Sequence, residues 1–146
     1  MKNMRMNFKK CLENKKIFKS TEVKYLVGKE IKLAEEDLKK AHEGYEREEF
    51  RWPTIQCYYS MFHSTRALLY LKGYRERSHI CLYIAMEELY VKKGLIDSEI
   101  VEVFKEARFL REDADYRGDF SQENLNKLLD NSRKMLKIAK SIMKNN

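Results

Sequence analysis

Proline and glycine are scarce in this chain, with 1 proline and 5 glycines spread over 146 residues. A sandwich or barrel of many short strands needs far more of the turn chemistry that these two residue types supply. In addition, no stretch alternates polar and apolar residues for long enough to predict a half-buried strand. These absences exclude an all-β fold, and the length fits one compact domain.

A long apolar run is also missing, because no stretch approaches the roughly 20 residues that are needed to cross a membrane. The region where a signal peptide would have its apolar core is interrupted by Lys9, Lys10, Lys15 and Lys16. We therefore expect a cytoplasmic protein with no membrane partner.

Cysteine is limited to Cys11, Cys57 and Cys81, and no two of them form a C-x-x-C pair. Cys57 and Cys81 lie among apolar residues, and an odd number of cysteines does not predict a complete disulfide framework. The simplest explanation is buried free thiols in a reducing cytoplasm.

The formal net charge of +7 is concentrated at the two ends of the chain. Residues 1–22 carry a net charge of +5, residues 133–146 carry another +5, and residues 23–132 carry −3. Overall basicity is therefore weak evidence that the whole molecule binds nucleic acid. Any nonspecific attraction to phosphate is expected at the two ends.

Apolar residues recur at helical spacing along almost the whole chain, which predicts a succession of helices. Thr21 or Ser20 is the expected N-cap of the first long helix, and Trp52 is expected to pack back onto the next one. The predicted elements are a short basic helix or arm over 4–17, an amphipathic helix over 23–45, an apolar helix from Pro53 to Gly73, a helix over 78–93 that Gly94 terminates, a helix capped by Asp97 or Ser98, a loop over 113–120, and a last helix capped by Ser121.

We predict an all-α fold, an antiparallel four- or five-helix up-and-down bundle. Residues 1–19 form a basic N-terminal arm or short helix, and residues 20–146 form the single-domain bundle. The helix that follows Pro53 is apolar around nearly its whole circumference, so it belongs in the middle of that bundle.

The sequence gives little evidence for a metal site or for a catalytic nucleophile. Glu76 and His79 form one E-x-x-H pair, but a di-iron bundle needs two such pairs. Cys57 and His63 lie about 120° apart on their helix, so the histidine does not activate the thiol. Phosphate-binding glycine loops are absent from the sequence. We expect no metal site and no cofactor.

The central helix carries a polar ridge, because Tyr59, His63, Arg66 and Tyr70 follow one another at steps of four, three and four. Such a ridge on an apolar helix has two interpretations. It is either a hydrogen-bond network inside the bundle or a part of a functional site.

A second polar cluster ends the fourth long helix, where Arg108 and Arg111 lead into an acidic turn with Asp115 and Tyr116. Arg111 and Asp115 are four residues apart and can form an ion pair that fixes the turn. The combination of arginines with a phenol also fits the binding of a phosphodiester or of a partner's backbone.

Several segments together resemble the HEPN superfamily, and more closely its small prokaryotic branch with a YYxMFHxxRALL-like helix and an RxxADY turn. The resemblance covers about residues 20–143. The residues that carry it are Ala41, Gly44, the run YYSMFHSTRALL from Tyr58 to Leu69, Gly73, Ser78, His79, Gly94, Arg111, Ala114, Asp115 and Tyr116.

The resemblance implies an antiparallel helical bundle that is usually a homodimer. In prokaryotes such a protein is often encoded beside a small nucleotidyltransferase, as half of a toxin–antitoxin or related module. In many relatives, an R-x(4–6)-H motif makes a metal-independent ribonuclease site. The histidine acts on the 2′-hydroxyl proton or the leaving group, and the arginine acts on the phosphate.

This sequence departs from that motif, because no histidine follows Arg108 or Arg111 at the required spacing. Our first hypothesis is a binding or regulatory protein that takes a nucleotide or RNA at the arginine–tyrosine turn. The alternative is a ribonuclease toxin with a non-standard histidine. The residues expected to act are Arg111 with His63 as tentative catalytic groups, and Arg108, Asp115, Tyr116, Tyr59, Arg66 and His79 as binding groups.

Overall fold

The computed structural model describes residues 5–146, which form six α-helices and one two-stranded ribbon. The all-α prediction is confirmed. The helices are α1 Phe8–Glu13, α2 Val27–Glu46, α3 Arg51–Leu71, α4 His79–Met86, α5 Ser98–Glu112 and α6 Gln122–Lys144. The strands are β1 Ile17–Lys19 and β2 Tyr74–Glu76. A 3-10 turn, Glu22–Leu26, precedes α2, and the π-helical turns Glu87–Val91 and Asp113–Arg117 extend α4 and α5.

Side-chain caps start three of these helices where the sequence predicts them. Ser78, Asp97 and Ser121 each accept a hydrogen bond from a backbone amide in the first turn, at 3.2, 3.1 and 3.1 Å respectively. These contacts satisfy amides that have no partner within the helix. The predicted starts of α4, α5 and α6 are therefore confirmed.

Helix α3 occupies the centre of the bundle, as its apolar circumference predicts, and packs against α2, α5 and α6. Its contact with α2 is close, since a Cβ at Gly44 would lie 2.7 Å from the ring carbon Cγ of Pro53. Glycine is therefore required where α2 turns into α3. The buried residues of α3 are Pro53, Thr54, Ile55, Cys57, Tyr58, Ser60, Met61, Ser64, Thr65, Ala67, Leu68, Leu69 and Tyr70.

Several details near the helix starts differ from the prediction. Helix α3 begins at Arg51 rather than at Pro53, because a proline fits anywhere in the first turn, where its missing amide has no helical partner. Trp52 does not pack back onto the helix and is 55% exposed, with the Arg51 guanidinium 4.9 Å from its ring centroid. The helix predicted over 23–45 is divided into the 3-10 turn and α2, and Thr21 makes no capping hydrogen bond.

The β ribbon was not predicted, because three residues per strand are too few to show alternation. Strands β1 and β2 are antiparallel, with Phe18 opposite Arg75 and Ile17 opposite Glu76. The helix predicted over 4–17 is shortened to α1, and residues 1–4 of the predicted arm lie outside the described residues. The domain boundary at residues 19 and 20 stays a prediction.

A disulfide joins Cys11 of α1 to Cys81 of α4, with their Cα atoms 5.8 Å apart. The expectation of free thiols is therefore wrong for these two cysteines. Their pairing follows from the packing of α1 against the first turn of α4, which sequence spacing does not show. Cys57 is free and buried, and burial raises the pKa of its thiol to about 12.

Among residues 5–146, no helix combines the length and the apolarity needed to cross a membrane.

The disulfide predicts one free thiol per unfolded chain rather than three. Closing a loop with a sequence separation of 70 residues stabilises the fold by about 4 kcal/mol through the entropy of the unfolded chain. Reduction should therefore lower the free energy of unfolding by about that amount in urea titrations. The double variant Cys11→Ser/Cys81→Ser is the control and should not respond to reductant. Three titratable thiols in the denatured, unreduced protein would contradict the pairing.

Candidate functional site

The predicted loop after α5 is helical in its first part. Residues Asp113–Arg117 form a π-helical turn that ends at Gly118, whose φ of +68° is left-handed. Arg51 holds this turn from α3, because its guanidinium donates to the carbonyls of Ala114 at 2.8 Å and Asp115 at 2.9 Å. The expectation of a loop is therefore wrong for residues 113–117, since the carbonyls find partners across the bundle.

Arg111 lies at the centre of this region. Its Nη2 donates to the Tyr59 hydroxyl at 2.8 Å and lies 3.5 Å from the Asp115 carboxylate. The guanidinium carbon is 5.4 Å from the ring centroid of Tyr59, 5.5 Å from that of Tyr116 and 5.8 Å from that of Tyr58. Ring faces attract a cation at these distances. We call Tyr58, Tyr59, Arg111, Asp115 and Tyr116 the arginine–tyrosine site.

The ion pair predicted between Arg111 and Asp115 is present, and it is shared. The second cation is Arg51, whose Nη2 lies 3.9 Å from the other carboxylate oxygen of Asp115. Arg108 lies one turn before Arg111 and pairs with Glu112 at 3.4 Å. The carboxylate of Asp115 is therefore held from two helices.

His79 is the histidine that reaches this site. Its Nδ1 lies 3.4 Å from the Tyr58 hydroxyl, at the start of α4. Burial lowers the pKa of His79, the positive charges of Arg108 and Arg111 lower it further, and Glu112 acts in the opposite direction. The imidazole is therefore mainly neutral at pH 7.

His63 lies in a different cluster. Its Nδ1 is 2.9 Å from Glu30 and its Nε2 is 3.8 Å from Asp37, both on α2. Arg66 lies 3.8 Å from Glu30 and 3.3 Å from Glu76 of β2. We call these five residues the histidine–carboxylate cluster. Among the described residues, neither His63 nor Arg66 forms a hydrogen bond or ion pair with Arg111.

The polar ridge of α3 is therefore divided between the arginine–tyrosine site and the histidine–carboxylate cluster. Tyr59 turns toward Arg111, whereas Arg66 donates to the Tyr70 hydroxyl and pairs with carboxylates. Burial raises the pKa of Glu76, and the guanidinium of Arg66 opposes this rise. Most of the ridge therefore forms a hydrogen-bond network inside the bundle. This is one of the two interpretations that the sequence allowed.

Phe62 separates the two groups on α3. Its ring centroid lies 5.6 Å from that of His63 and 5.8 Å from that of His79. A shallow surface cleft of about 190 Å³ runs beside it. The cleft is lined by Phe62, Glu76, Arg77, Ser78 and His79.

Sequence reasoning missed four contributors to these groups, Arg51, Tyr58, Glu30 and Asp37. Arg51 gives no signal in the sequence, because its role depends on packing against a turn more than 60 residues away. Tyr58 belongs to the run from Tyr58 to Leu69 that resembles the HEPN superfamily, but it is not among the residues that the sequence predicts to act. Glu30 lies between Val27 and Ile31 on the apolar face of α2, and a carboxylate in that position is a signal that could have identified it.

The described residues contain no group of three or more histidine, cysteine, aspartate or glutamate side chains that could hold a metal ion. Glu76, half of the E-x-x-H pair, is instead a partner of Arg66.

Comparison with protein families gives a match to the model for the HEPN domain over residues 29–144. The first 28 residues, which include α1 and β1, lie outside the match.

Three curated relatives come from archaea. The UPF0332 protein PH1297 of Pyrococcus horikoshii is 38% identical over 71 residues, which are 49% of this chain and 50% of that protein. "Putative toxin MJ0142" of Methanocaldococcus jannaschii is 29% identical over 122 residues, or 78% of this chain and 83% of that protein. "Putative toxin MJ0605" of the same organism is 31% identical over 89 residues, or 61% and 66%. The chain thus spans half the length of the Pyrococcus protein.

The contact between Tyr59 and Arg111 should appear as a coupling energy in a double-mutant cycle. A hydrogen bond to a charged group is worth roughly 1.5–3 kcal/mol, so Tyr59→Phe and Arg111→Ala should couple by about 1.5 kcal/mol in urea unfolding. Tyr116→Phe is the matched control, because that ring is 73% exposed. Equal coupling of Arg111 with both tyrosines would contradict the assigned contact.

His79 should make the fold less stable in acid. The unfolded chain takes up the His79 proton near pH 6.5, whereas the folded protein takes it up at lower pH, so the unfolded state binds more protons below that value. Between pH 7.5 and 5.5, His79→Gln should therefore lose less unfolding free energy than the wild type. An equal loss in both proteins would show that His79 titrates normally.

Proposed function

Because the chain belongs to the HEPN domain family, we propose that it is the binding half of a toxin–antitoxin-like two-component module. In this proposal the arginine–tyrosine site receives a nucleotide or RNA. The names of the two Methanocaldococcus relatives support a module of this kind. The observation that carries the proposal is Arg111, a guanidinium fixed among tyrosine rings beside the exposed ring of Tyr116.

A nucleotide offers the two chemical groups that this site can take. The phosphate matches the N–H fork of Arg111, which has five donors, and only one of them is given to Tyr59. The base matches the ring of Tyr116, which is 73% exposed and available for stacking. Phosphate and base recognition are therefore adjacent.

Asp115 competes with a phosphate for Arg111, and the structure contains a second partner for its charge. Arg51 already lies 3.9 Å from Asp115 and donates to its backbone carbonyl. When a phosphate takes Arg111, Asp115 keeps the contact with Arg51. The exchange leaves no carboxylate without a counter-charge, and this lowers its cost.

The proposed partners are a second copy of the chain and a small nucleotidyltransferase encoded in a neighbouring reading frame. Large apolar side chains are exposed on the elements that form or adjoin the site, which is typical of a surface that contacts another protein. They are Trp52, Ile80, Phe109 and Tyr116. Light scattering at micromolar concentration should give a dimer, and a monomer would contradict this part of the proposal.

The proposal keeps the cytoplasmic location that the sequence predicts. Intracellular disulfides such as Cys11–Cys81 have precedents in proteins of hyperthermophilic archaea.

A second function is favoured by the position of His79. The imidazole lies beside Tyr58, and burial and the charges of Arg108 and Arg111 lower its pKa and keep it neutral. A neutral imidazole can accept the proton of a ribose 2′-hydroxyl while an arginine binds the phosphate. His63 is held between Glu30 and Asp37 instead. If the protein is a ribonuclease, His79 is therefore the better candidate for the missing motif histidine.

Arg111→Ala should weaken the binding of a fluorescein-labelled RNA at least about tenfold, because an ionic hydrogen bond is lost. Fluorescence anisotropy at fixed salt measures this change. Arg117→Ala is the control, since Arg117 lies in the adjacent turn and is 67% exposed in an ion pair with Asp113. Equal losses in the two variants would show that only the general charge matters.

The same RNA, analysed by gel after incubation, separates the two functions. The binding proposal expects intact RNA with the wild-type protein. Cleavage that is abolished by Arg111→Ala and by His79→Gln, but not by His63→Gln, would contradict the binding proposal and show that the protein is a ribonuclease.

A further inference from the structure

Cations without a carboxylate partner gather around the β ribbon. Elsewhere among the described residues, some lysines and arginines are paired, as Lys127 is with Glu106 at 2.6 Å and Lys140 with Glu35 at 2.6 Å, and others, such as Lys39 and Lys40 of α2, are not. Within residues 5–146, the ribbon and its flanking residues contain cations that have no carboxylate within 4.0 Å. These cations are Lys15, Lys16, Lys19, Lys24, Lys72, Arg75 and Arg77.

The strand register places some of these cations on one face. Phe18 is directly opposite Arg75, and the amide of Arg77 donates to the carbonyl of Lys16 at 2.8 Å, which continues the pairing by one step. Opposed residues share a face of a sheet, and residues two apart along a strand share it too. Lys16, Phe18, Arg75 and Arg77 therefore lie on the same face, which we call the basic ribbon.

The opposite face of the ribbon turns inward. Ile17 is fully buried there, and its partner across the ladder is Glu76. Glu76 lies 3.3 Å from Arg66 of α3. The carboxylate of β2 therefore has its close ion pair with Arg66, and it acts on Arg75 of the basic ribbon only from beyond 4.0 Å.

The guanidinium groups of the ribbon are stacked on aromatic rings. The Cζ of Arg77 lies 4.4 Å from the ring centroid of Phe18, and that of Arg75 lies 5.8 Å from the ring centroid of Tyr70. A stacked guanidinium keeps the N–H groups at its edge available for the two oxygens of a phosphate. Stacking also reduces the motion of the side chain, so less entropy is lost when a phosphate binds.

The cleft beside Phe62 extends from the basic ribbon to the histidine that borders the arginine–tyrosine site. Arg77 of the ribbon and His79 both line the cleft beside Phe62. The Nδ1 of His79 in turn lies 3.4 Å from the hydroxyl of Tyr58, a member of that site. A strand bound along the ribbon and this cleft would therefore end beside the arginine–tyrosine site.

We propose that the basic ribbon binds the phosphate backbone of single-stranded RNA and guides it to the arginine–tyrosine site. The inference rests on the proposed function, which makes RNA the ligand of that site. Single strands are held by cations that contact successive phosphates of the backbone, and this face provides Lys16, Arg75 and Arg77 for that contact. A membrane surface fits less well, because Phe18 is covered by Arg77 and does not project as an apolar anchor.

The test is the double variant Arg75→Gln/Arg77→Gln in the full chain. The probe is a 20-nucleotide oligouridine with a fluorescein label, and its anisotropy is followed from 0.05 to 0.3 M KCl. The Kd should rise at least about tenfold at the lowest salt, and the slope of log Kd against log salt should fall by roughly 1.4, since each phosphate contact with a single strand contributes about 0.7. Thermal unfolding verifies that the variant is folded.

Lys39→Gln/Lys40→Gln is the matched control, because it removes two exposed positive charges from α2, away from the ribbon. It should bind like the wild type. Equal losses in the two double variants would overturn the proposal, since binding would then depend on net charge alone.

Arg111→Ala, measured on the same probe, separates the two proposals. If it loses binding while the ribbon variant does not, the ribbon proposal is wrong and the proposed function stands. If only the ribbon variant loses binding, the ribbon is supported and the proposed site is wrong. Wild-type protein that binds phosphatidylserine vesicles but not the RNA would overturn both.

Discussion

The burial of α3 is the constraint on which the rest of the structure depends. This helix is surrounded by α2, α5 and α6, so its long polar side chains Tyr59, His63 and Arg66 pair with groups on neighbouring helices and strands. Tyr59 accepts a hydrogen bond from Arg111, and His63 contacts Glu30. Arg66 lies within ion-pair distance of both Glu30 and Glu76. The two polar groups of the molecule follow directly from these contacts.

The two polar groups differ in the exposure of their members. In the histidine–carboxylate cluster, His63 and Arg66 lie against carboxylates on α2 and β2, which is the arrangement of an internal network. In the arginine–tyrosine site, Tyr116 is largely exposed and Asp115 has two alternative cations. That difference is why the proposed ligand binds at the second group, and why His79 rather than His63 is placed to act on it.

The helices were predictable because caps and apolar spacing are local signals, and Asp97 and Ser121 cap their helices as the sequence predicts. Features that depend on distant contacts were not. The Cys11–Cys81 disulfide, the ribbon and the helical turn at Asp113–Arg117 each need a partner from another part of the chain. In the candidate site, the pair of Arg111 and Asp115 was visible in the sequence, but the contribution of Arg51 was not.

In our proposal, the end of α5 and the ribbon form one RNA-binding surface. The most direct measurement is a titration of uniformly 15N-labelled protein with oligouridine, followed by amide and arginine side-chain NMR signals. We expect the largest shifts at Arg111, Tyr116 and Arg77, with smaller ones along β1. Shifts concentrated on α6, or no shifts at RNA concentrations that saturate the anisotropy signal, would contradict the claim.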